Sequence, residues 1–125
     1  MSGFKTVLDV RMLPEMDDQG WMLLAPLVYD SDVAKQTITV PAGFYTDFVS
    51  FCALKGKSQR PSVLHDFLTS CEDVSNGLAA SVFREALESI KQDMFLTEDE
   101  YLAVLLFGAS HHTNEFKLSE HSQPL

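Results

Sequence analysis

The chain has 125 residues, of which 46% are apolar and nine are phenylalanine, and its formal net charge is −9. This length suits a single domain that buries one core without needing a disulfide or a metal. The negative charge disfavours simple binding to nucleic acid, which requires cations to displace the counterions of the phosphates. Two interpretations of the charge stay open: a solubilising surface, or an acidic face that docks on a basic protein.

The hydropathy of the chain predicts no membrane span, because no apolar run reaches about 18 residues. The first residues contain no apolar signal segment and soon alternate like a strand, so we expect synthesis and folding in a reducing cytoplasm. Cys52 and Cys71 fit that expectation as small buried side chains rather than as a disulfide.

Period-two alternation indicates β structure in the first 40 residues. One strand is predicted over residues 6–13. A second apolar run covers residues 21–29, and because Pro26 cannot donate to a ladder, this strand is an edge strand or a bulged one. Residues 36–40 alternate again, so the whole segment is predicted to be an antiparallel meander. The side chains expected to face inward are Leu8, Val10, Met12, Ile38 and Val40.

After the strands, a turn is predicted at Val40-Pro41-Ala42-Gly43, where the positions of proline and glycine favour type I. The period then becomes helical. Pro61 suits the first turn of one helix, a second is predicted over residues 76–92, and a capping-box pattern begins a third over 97–107. The side chains expected to be buried in the first two helices are Leu64, Phe67, Leu68, Cys71, Ala79, Val82, Phe83, Ala86, Leu87 and Ile90.

This order of elements predicts the fold class α+β, a small antiparallel sheet of N-terminal strands covered by two or three C-terminal helices. We expect one domain over residues 1–108, followed by a loose polar tail over residues 109–125.

Four polar residues that could carry chemistry lie among apolar neighbours: Asp47, Ser50, His65 and Asp66. If Asp47 orients His65 and Asp66 supports it, the set could provide a general base or a metal ligand, because a carboxylate fixes the tautomer of a histidine and raises its basicity. The alternative is architectural, with Asp47 capping the helix or tying down the basic loop and His65 a satisfied, half-buried histidine. We expect Asp47 and His65 to lie within hydrogen-bonding reach, directly or through one water, where the helix meets the sheet.

A basic loop separates the two polar motifs. Lys55, Lys57 and Arg60 concentrate positive charge there and, together with Ser50, could form a small binding surface. The alternative is a solvated loop.

The stretches Val40-Pro41-x-Gly43-Phe44-x-Thr46-Asp47-x-x-Ser50 and Leu64-His65-Asp66-x-Leu68 resemble a small bacteriophage and prophage family that is classified as a domain of unknown function. The likeness extends to Pro26-Leu27-Val28-Tyr29 and to the segment from Tyr101 to Gly108, so it covers about residues 22–108. It implies a phage or prophage origin.

Three departures from the family pattern bear on function. Thr69 stands where the family usually has tyrosine, Ala80 where it has aspartate, and Phe51-Cys52-Ala53 where it has a proline-arginine motif. Because alanine cannot ligate a metal, the resemblance implies no stoichiometric metal and no cofactor here.

The sequence therefore favours a non-enzymatic viral protein that works by protein–protein contact, either associated with the tail region of the virion or interacting with the host. We expect it to be made in the host cytoplasm and open to incorporation into the virion. One alternative is a hydrolase acting on cell wall or lipid, in which His65 is the base, Asp47 orients it and Asp66 supports it. A second is an acidic inhibitor of a host nucleic-acid-binding defence protein.

Overall fold

The computed structural model describes residues 2–13, 20–46, 59–90 and 115–125. It confirms the α+β class, with antiparallel sheets built from N-terminal strands and two helices that follow them. The strands are β1 (Gly3–Phe4), β2 (Val10–Leu13), β3 (Gly20–Leu23), β4 (Leu27–Ser31), β5 (Gln36–Val40), β6 (Tyr45–Thr46) and β7 (Ser122–Pro124). The helices are α1 (Gln59–Thr69) and α2 (Asn76–Ser89).

Strands β1 to β6 form a meander of three long strands, each of which is interrupted midway. β1 and β2 make the first long strand, β3 and β4 the central one, and β5 and β6 the third. β4 pairs with β1 and β5, whereas β3 pairs with β2 and β6. The pairing register does not change across the break. Residues 24–26 of the central strand lie opposite residues 41–43 of its neighbour, so neither strand contains an extra residue there. The predicted meander is therefore correct, but it is divided into two sheets.

The interruption of the central strand follows from Pro26, as the sequence predicts. Proline has no N–H to donate, and the ladder is completed here by a side chain instead. The Thr6 hydroxyl accepts a hydrogen bond from the Val28 N–H at 3.0 Å and lies 3.4 Å from the Pro26 carbonyl oxygen. Thr6 thus holds the long strand made of β1 and β2 against the central long strand at the break.

The turn between β5 and β6 is displaced by one residue from the predicted one. The Phe44 N–H donates to the Pro41 carbonyl at 3.2 Å, which places Gly43 at the third position of the turn. Gly43 has a φ of 87°, the value that the third position of a type II turn requires and that glycine adopts without strain. The predicted type I turn is therefore wrong.

Both helices bury the stripes that their periodicity predicts. In α1, Leu64, Phe67 and Leu68 are buried, and Pro61 lies in the first turn. α2 begins with a Ser75 cap whose side chain accepts the Leu78 N–H at 3.0 Å. The helices pack on each other and on the sheet around one apolar core. Neither has the length and apolar character needed to cross a bilayer, and the same holds for the rest of the described chain.

The C-terminal segment 115–125 is not loose, contrary to the expectation for the tail. Its strand β7 pairs with β5, and Leu118 is 5% exposed. Phe116 packs against Phe44 and Phe67 at ring-centroid distances of 5.8 and 5.4 Å. Its polar composition conceals this role because backbone hydrogen bonds supply most of the attachment. The predicted third helix and the connection to this segment lie outside the described residues.

Candidate functional site

The two polar motifs meet through one hydrogen bond between a strand end and a helix. The hydroxyl of Thr46, at the end of β6, donates to Oδ2 of Asp66 in α1 at 2.7 Å. Thr46 is fully buried, so this bond satisfies a hydroxyl that water cannot reach. It joins the segment after the Gly43 turn to the helix that carries His65. Asp66 therefore has an architectural contact.

The backbone of Asp66 is also used for structure. Its carbonyl oxygen accepts hydrogen bonds from the hydroxyls of Thr69 and Ser70, each at 2.9 Å. These hydroxyls satisfy a carbonyl that has no helical partner at the end of α1. Thr69 is thus engaged in ending the helix.

His65 lies on a different side of α1 from Asp66. Its side chain is 1% exposed and packs against Phe83 of α2, with the ring centroids 5.2 Å apart. Burial lowers the pKa of His65 to about 4, because an apolar environment disfavours the imidazolium. The ring is therefore neutral at physiological pH. A neutral imidazole can accept a proton, but one with so low a pKa is a weak base.

Four predicted site residues lie outside the described part of the chain: Asp47, Ser50, Lys55 and Lys57. The expected contact between Asp47 and His65 thus stays a prediction, and so does the basic binding surface. Within the described residues, no three metal-ligating side chains come together.

Arg60 is the one residue of the basic loop that the structure describes, and it makes intramolecular contacts. Its Nη1 donates to the Thr6 carbonyl oxygen at 3.2 Å, and its guanidinium lies 4.8 Å from the centre of the Phe4 ring. Both contacts hold α1 against the first strand. Beside them is an open cleft of about 330 Å³ lined by Val7, Leu8, Gln59 and Arg60.

A buried polar cluster, which the sequence did not indicate, centres on Glu85 of α2. One carboxylate oxygen accepts hydrogen bonds from the hydroxyls of Tyr29 and Ser31 at 2.9 and 2.8 Å. The other accepts the Val33 N–H at 2.9 Å, and Ser31 in turn accepts the Ala34 N–H at 3.0 Å. Burial and the adjacent carboxylate raise the pKa of Tyr29 far above its ordinary value, so its hydroxyl stays a donor. The cluster ties α2 to the β4–β5 hairpin.

The outer face of the β2–β3–β6 sheet carries a second set of residues that the sequence did not single out. Arg11, Met22 and Tyr45 form one cross-strand row, and Leu13 shares their face. Gly20 lies beneath the Tyr45 ring, since a Cβ there would come within 2.5 Å of Cε2. Arg11 is exposed and Tyr45 is 42% exposed. We call these four side chains, Arg11, Leu13, Met22 and Tyr45, the platform.

Together these features define a small α+β domain whose described motif residues serve internal packing and whose second sheet bears an apolar, cationic outer face. Comparison with protein families gives a match to the model of a protein of unknown function, DUF1353, over residues 21–104. The chain therefore belongs to the DUF1353 family. No curated protein and no solved structure matches it.

Proposed function

We propose that this chain is a bacteriophage or prophage protein that acts by binding another protein, in the tail region of the virion or in the host. The motif resemblance supports the phage origin. The observation that carries the binding function is the platform, a surface whose composition differs from that of the rest of the chain.

The platform contains the residue types that protein interfaces favour. Tyrosine, methionine and arginine are enriched at interfaces, whereas aspartate, glutamate and lysine are depleted. The platform has one arginine and no acid, although the chain carries 18 acidic residues. Tyr45 is already packed across Gly20, so a partner would not have to immobilise a freely rotating ring. Such a surface suits a partner that buries Tyr45 and Met22.

The arrangement around α1 favours packing over hydrolysis. Asp66 is hydrogen-bonded to Thr46, and His65 lies against Phe83 with 1% of its surface exposed. Ala80, at the position where similar sequences have aspartate, is fully buried one helical turn before Phe83. Its methyl group contributes to the interior of the domain.

Three acidic residues of the described chain are engaged in contacts within the domain, which favours an architectural role for them over phosphate mimicry. Glu72 pairs with Lys117 at 3.3 Å, and Asp73 accepts the N–H groups of Leu118 and Ser119 at 2.6 and 3.0 Å. Glu85 is occupied by its three donors. These carboxylates fasten the C-terminal segment and the β4–β5 hairpin.

Site-specific photo-crosslinking in cells tests the proposal. Benzoylphenylalanine replaces Met22 on the platform or, as a control, Glu88, which is exposed on α2. The protein is produced in a bacterium that also expresses the other genes of the phage or prophage. We expect position 22 to give one discrete covalent adduct that Tyr45→Ser weakens, and position 88 to give none. Equal products from both positions, or no adduct at position 22, would refute binding through the platform.

A further inference from the structure

Strand β2 is an edge strand within the described part of the chain, because β3 is its one neighbour there. Along the long strand made of β1 and β2, the backbone N–H and C=O groups of alternate residues point toward the central strand and away from it. Lys5 donates to the Val28 carbonyl and Asp9 accepts from the Leu24 N–H, so odd-numbered residues face the central strand. The backbone N–H and C=O groups of Val10 and Met12 therefore point away from β3.

The other edges in the described chain are short or blocked. β1 has two residues, and Arg60 covers the outward carbonyl of Thr6 just beyond it. β7 contains Pro124, which cannot donate to a further strand. By contrast, β2 has four residues and no proline, and its Met12 side chain is 41% exposed. Natural proteins usually protect such an edge from pairing with another chain.

Charge indicates what kind of strand would pair with β2. Among the exposed cations of the described chain, Lys5, Arg84 and Lys117 each have a carboxylate partner, whereas Arg11 and Lys35 have none, and of these two only Arg11 lies on β2. A carboxylate beside β2 would therefore complement Arg11. A second copy of this chain fits poorly, because it would bring its own Arg11 close to the first and add a further net charge of −9.

The cleft of about 330 Å³ lies along the same edge, immediately before β2. Leu8 and Val7 provide its apolar wall, and Arg60 provides a second cation at its rim. A strand added to β2 and extended past Leu8 would place one side chain in this cleft. In strand addition the backbone supplies affinity and such pockets supply specificity.

We propose that the partner docks on this protein by strand addition, with an extended segment that carries alternating acidic and apolar residues and pairs with β2. This inference rests on the proposed function and specifies how the partner binds. An extended segment of the partner adds to the sheet that carries the platform. Its acidic side chains lie beside Arg11 on the platform face, its apolar side chains lie on the opposite face, and its backbone pairs with Val10 and Met12.

A synthetic peptide tests strand addition without knowledge of the natural partner. The probe is acetyl-Ser-Val-Glu-Val-Glu-Val-Glu-Ser-amide, and the matched control replaces each glutamate with lysine. Amide hydrogen exchange on the wild-type protein should show at least about tenfold added protection at Val10 and Met12 with the glutamate peptide only. Protection confined to other amides, equal binding of the lysine peptide, or no binding at millimolar peptide would overturn the inference.

Two variants separate backbone pairing from contact with side chains. Met12→Pro removes an outward N–H that does not pair with β3, and we expect it to weaken peptide binding at least about tenfold relative to Met12→Ala. Arg11→Glu should also weaken binding at least about tenfold, whereas Lys35→Glu, at the far hairpin, should not. Unchanged binding by Met12→Pro would contradict strand addition. A partner that still crosslinks at position 22 would then leave the proposed function intact.

Discussion

Glu85→Ala should destabilise this domain more than any other single change to an acidic residue of α2. The carboxylate joins α2 to the β4–β5 hairpin by accepting three hydrogen bonds. Alanine favours the helix intrinsically, so a loss of stability would have to come from these contacts. The matched control is Glu88→Ala, less than one turn further along, whose side chain is 67% exposed and pairs with Arg84 at 3.7 Å.

The expected magnitude follows from the burial of the three donors. Tyr29 and Ser31 are fully buried, so both hydroxyls lose a carboxylate acceptor. The Tyr29 hydroxyl keeps the hydroxyls of Ser2 and Ser89 as neighbours and should lose about 1 kcal/mol, whereas Ser31 bears the full cost. An unsatisfied buried group costs about 1–3 kcal/mol. The Val33 N–H is exposed to solvent and can be hydrated, so it contributes little. We therefore expect a loss of about 2–4 kcal/mol for Glu85→Ala, compared with about 0.5 kcal/mol or less for the exposed control.

Urea denaturation followed by circular dichroism measures both variants, and a double-mutant cycle isolates the Tyr29 contact. Tyr29→Phe should cost about 1 kcal/mol in the wild-type background. In the Glu85→Ala background it should cost close to nothing, because the carboxylate that accepts from the Tyr29 hydroxyl is already absent. If Glu85→Ala and Glu88→Ala unfold at the same urea concentration, or if the Tyr29→Phe cost is unchanged, the cluster does not stabilise the fold as described.

Three further predictions concern His65, the motif bond and the displaced turn. Because the pKa of His65 is about 4 in the folded state and 6.5 in an ordinary environment, the unfolded state takes up a proton first as pH falls. Stability should therefore drop by up to about 3 kcal/mol between pH 6.5 and 4 in urea titrations, and His65→Gln should lack this part of the slope. Thr46→Val removes the buried hydroxyl that donates to Asp66 and should cost about 1–3 kcal/mol, whereas Thr39→Val, which removes no such bond, should cost under about 0.5 kcal/mol. Equal urea midpoints for the two variants would contradict the motif bond. Gly43→Ala should cost about 1 kcal/mol through its positive φ alone, because an added Cβ meets no atom within 4 Å. Gly77→Ala in α2 is the control and should be neutral or stabilising. Equal shifts of the thermal midpoint in the two variants would exclude the turn geometry.

The local elements of this fold could be predicted because their signals are periodic and short in range. Ile38 and Val40 are buried where alternation places them, and Leu64, Phe67 and Leu68 are buried where helical spacing places them. In each case the burial of one face follows from the backbone geometry of a single element. Pro26 likewise marks the break of the central strand without any tertiary information.

The remaining features depend on contacts between distant segments. The Thr6 hydroxyl completes a ladder interrupted twenty residues later, and no local pattern encodes that pairing. Glu85 lies beside the apolar stripe of α2, where a solvated carboxylate is the ordinary expectation, and its donors come from a hairpin more than fifty residues earlier. The segment 115–125 is polar, but it is held by β7 pairing and by Phe116.

The platform was also hidden from sequence reasoning, for a related reason. Arg11, Met22 and Tyr45 belong to three different strands, and only their register places them in one row. Each is an unremarkable residue within its own strand. A signal was present in the sequence at Gly20, because glycine in a strand can mark the close approach of another group.

We propose that this protein works through the platform and not through the polar motif around His65. The most direct measurement is complementation in the phage or prophage that we propose as the source: the gene is deleted there, and the yield of infectious particles is measured with each variant supplied in trans. We predict that Arg11→Glu/Tyr45→Ser, folded with wild-type stability, fails to restore the yield. We also predict that His65→Gln restores it at a temperature where that variant is folded. A folded His65→Gln protein without activity, together with full activity of Arg11→Glu/Tyr45→Ser, would contradict the account and indicate chemistry at His65.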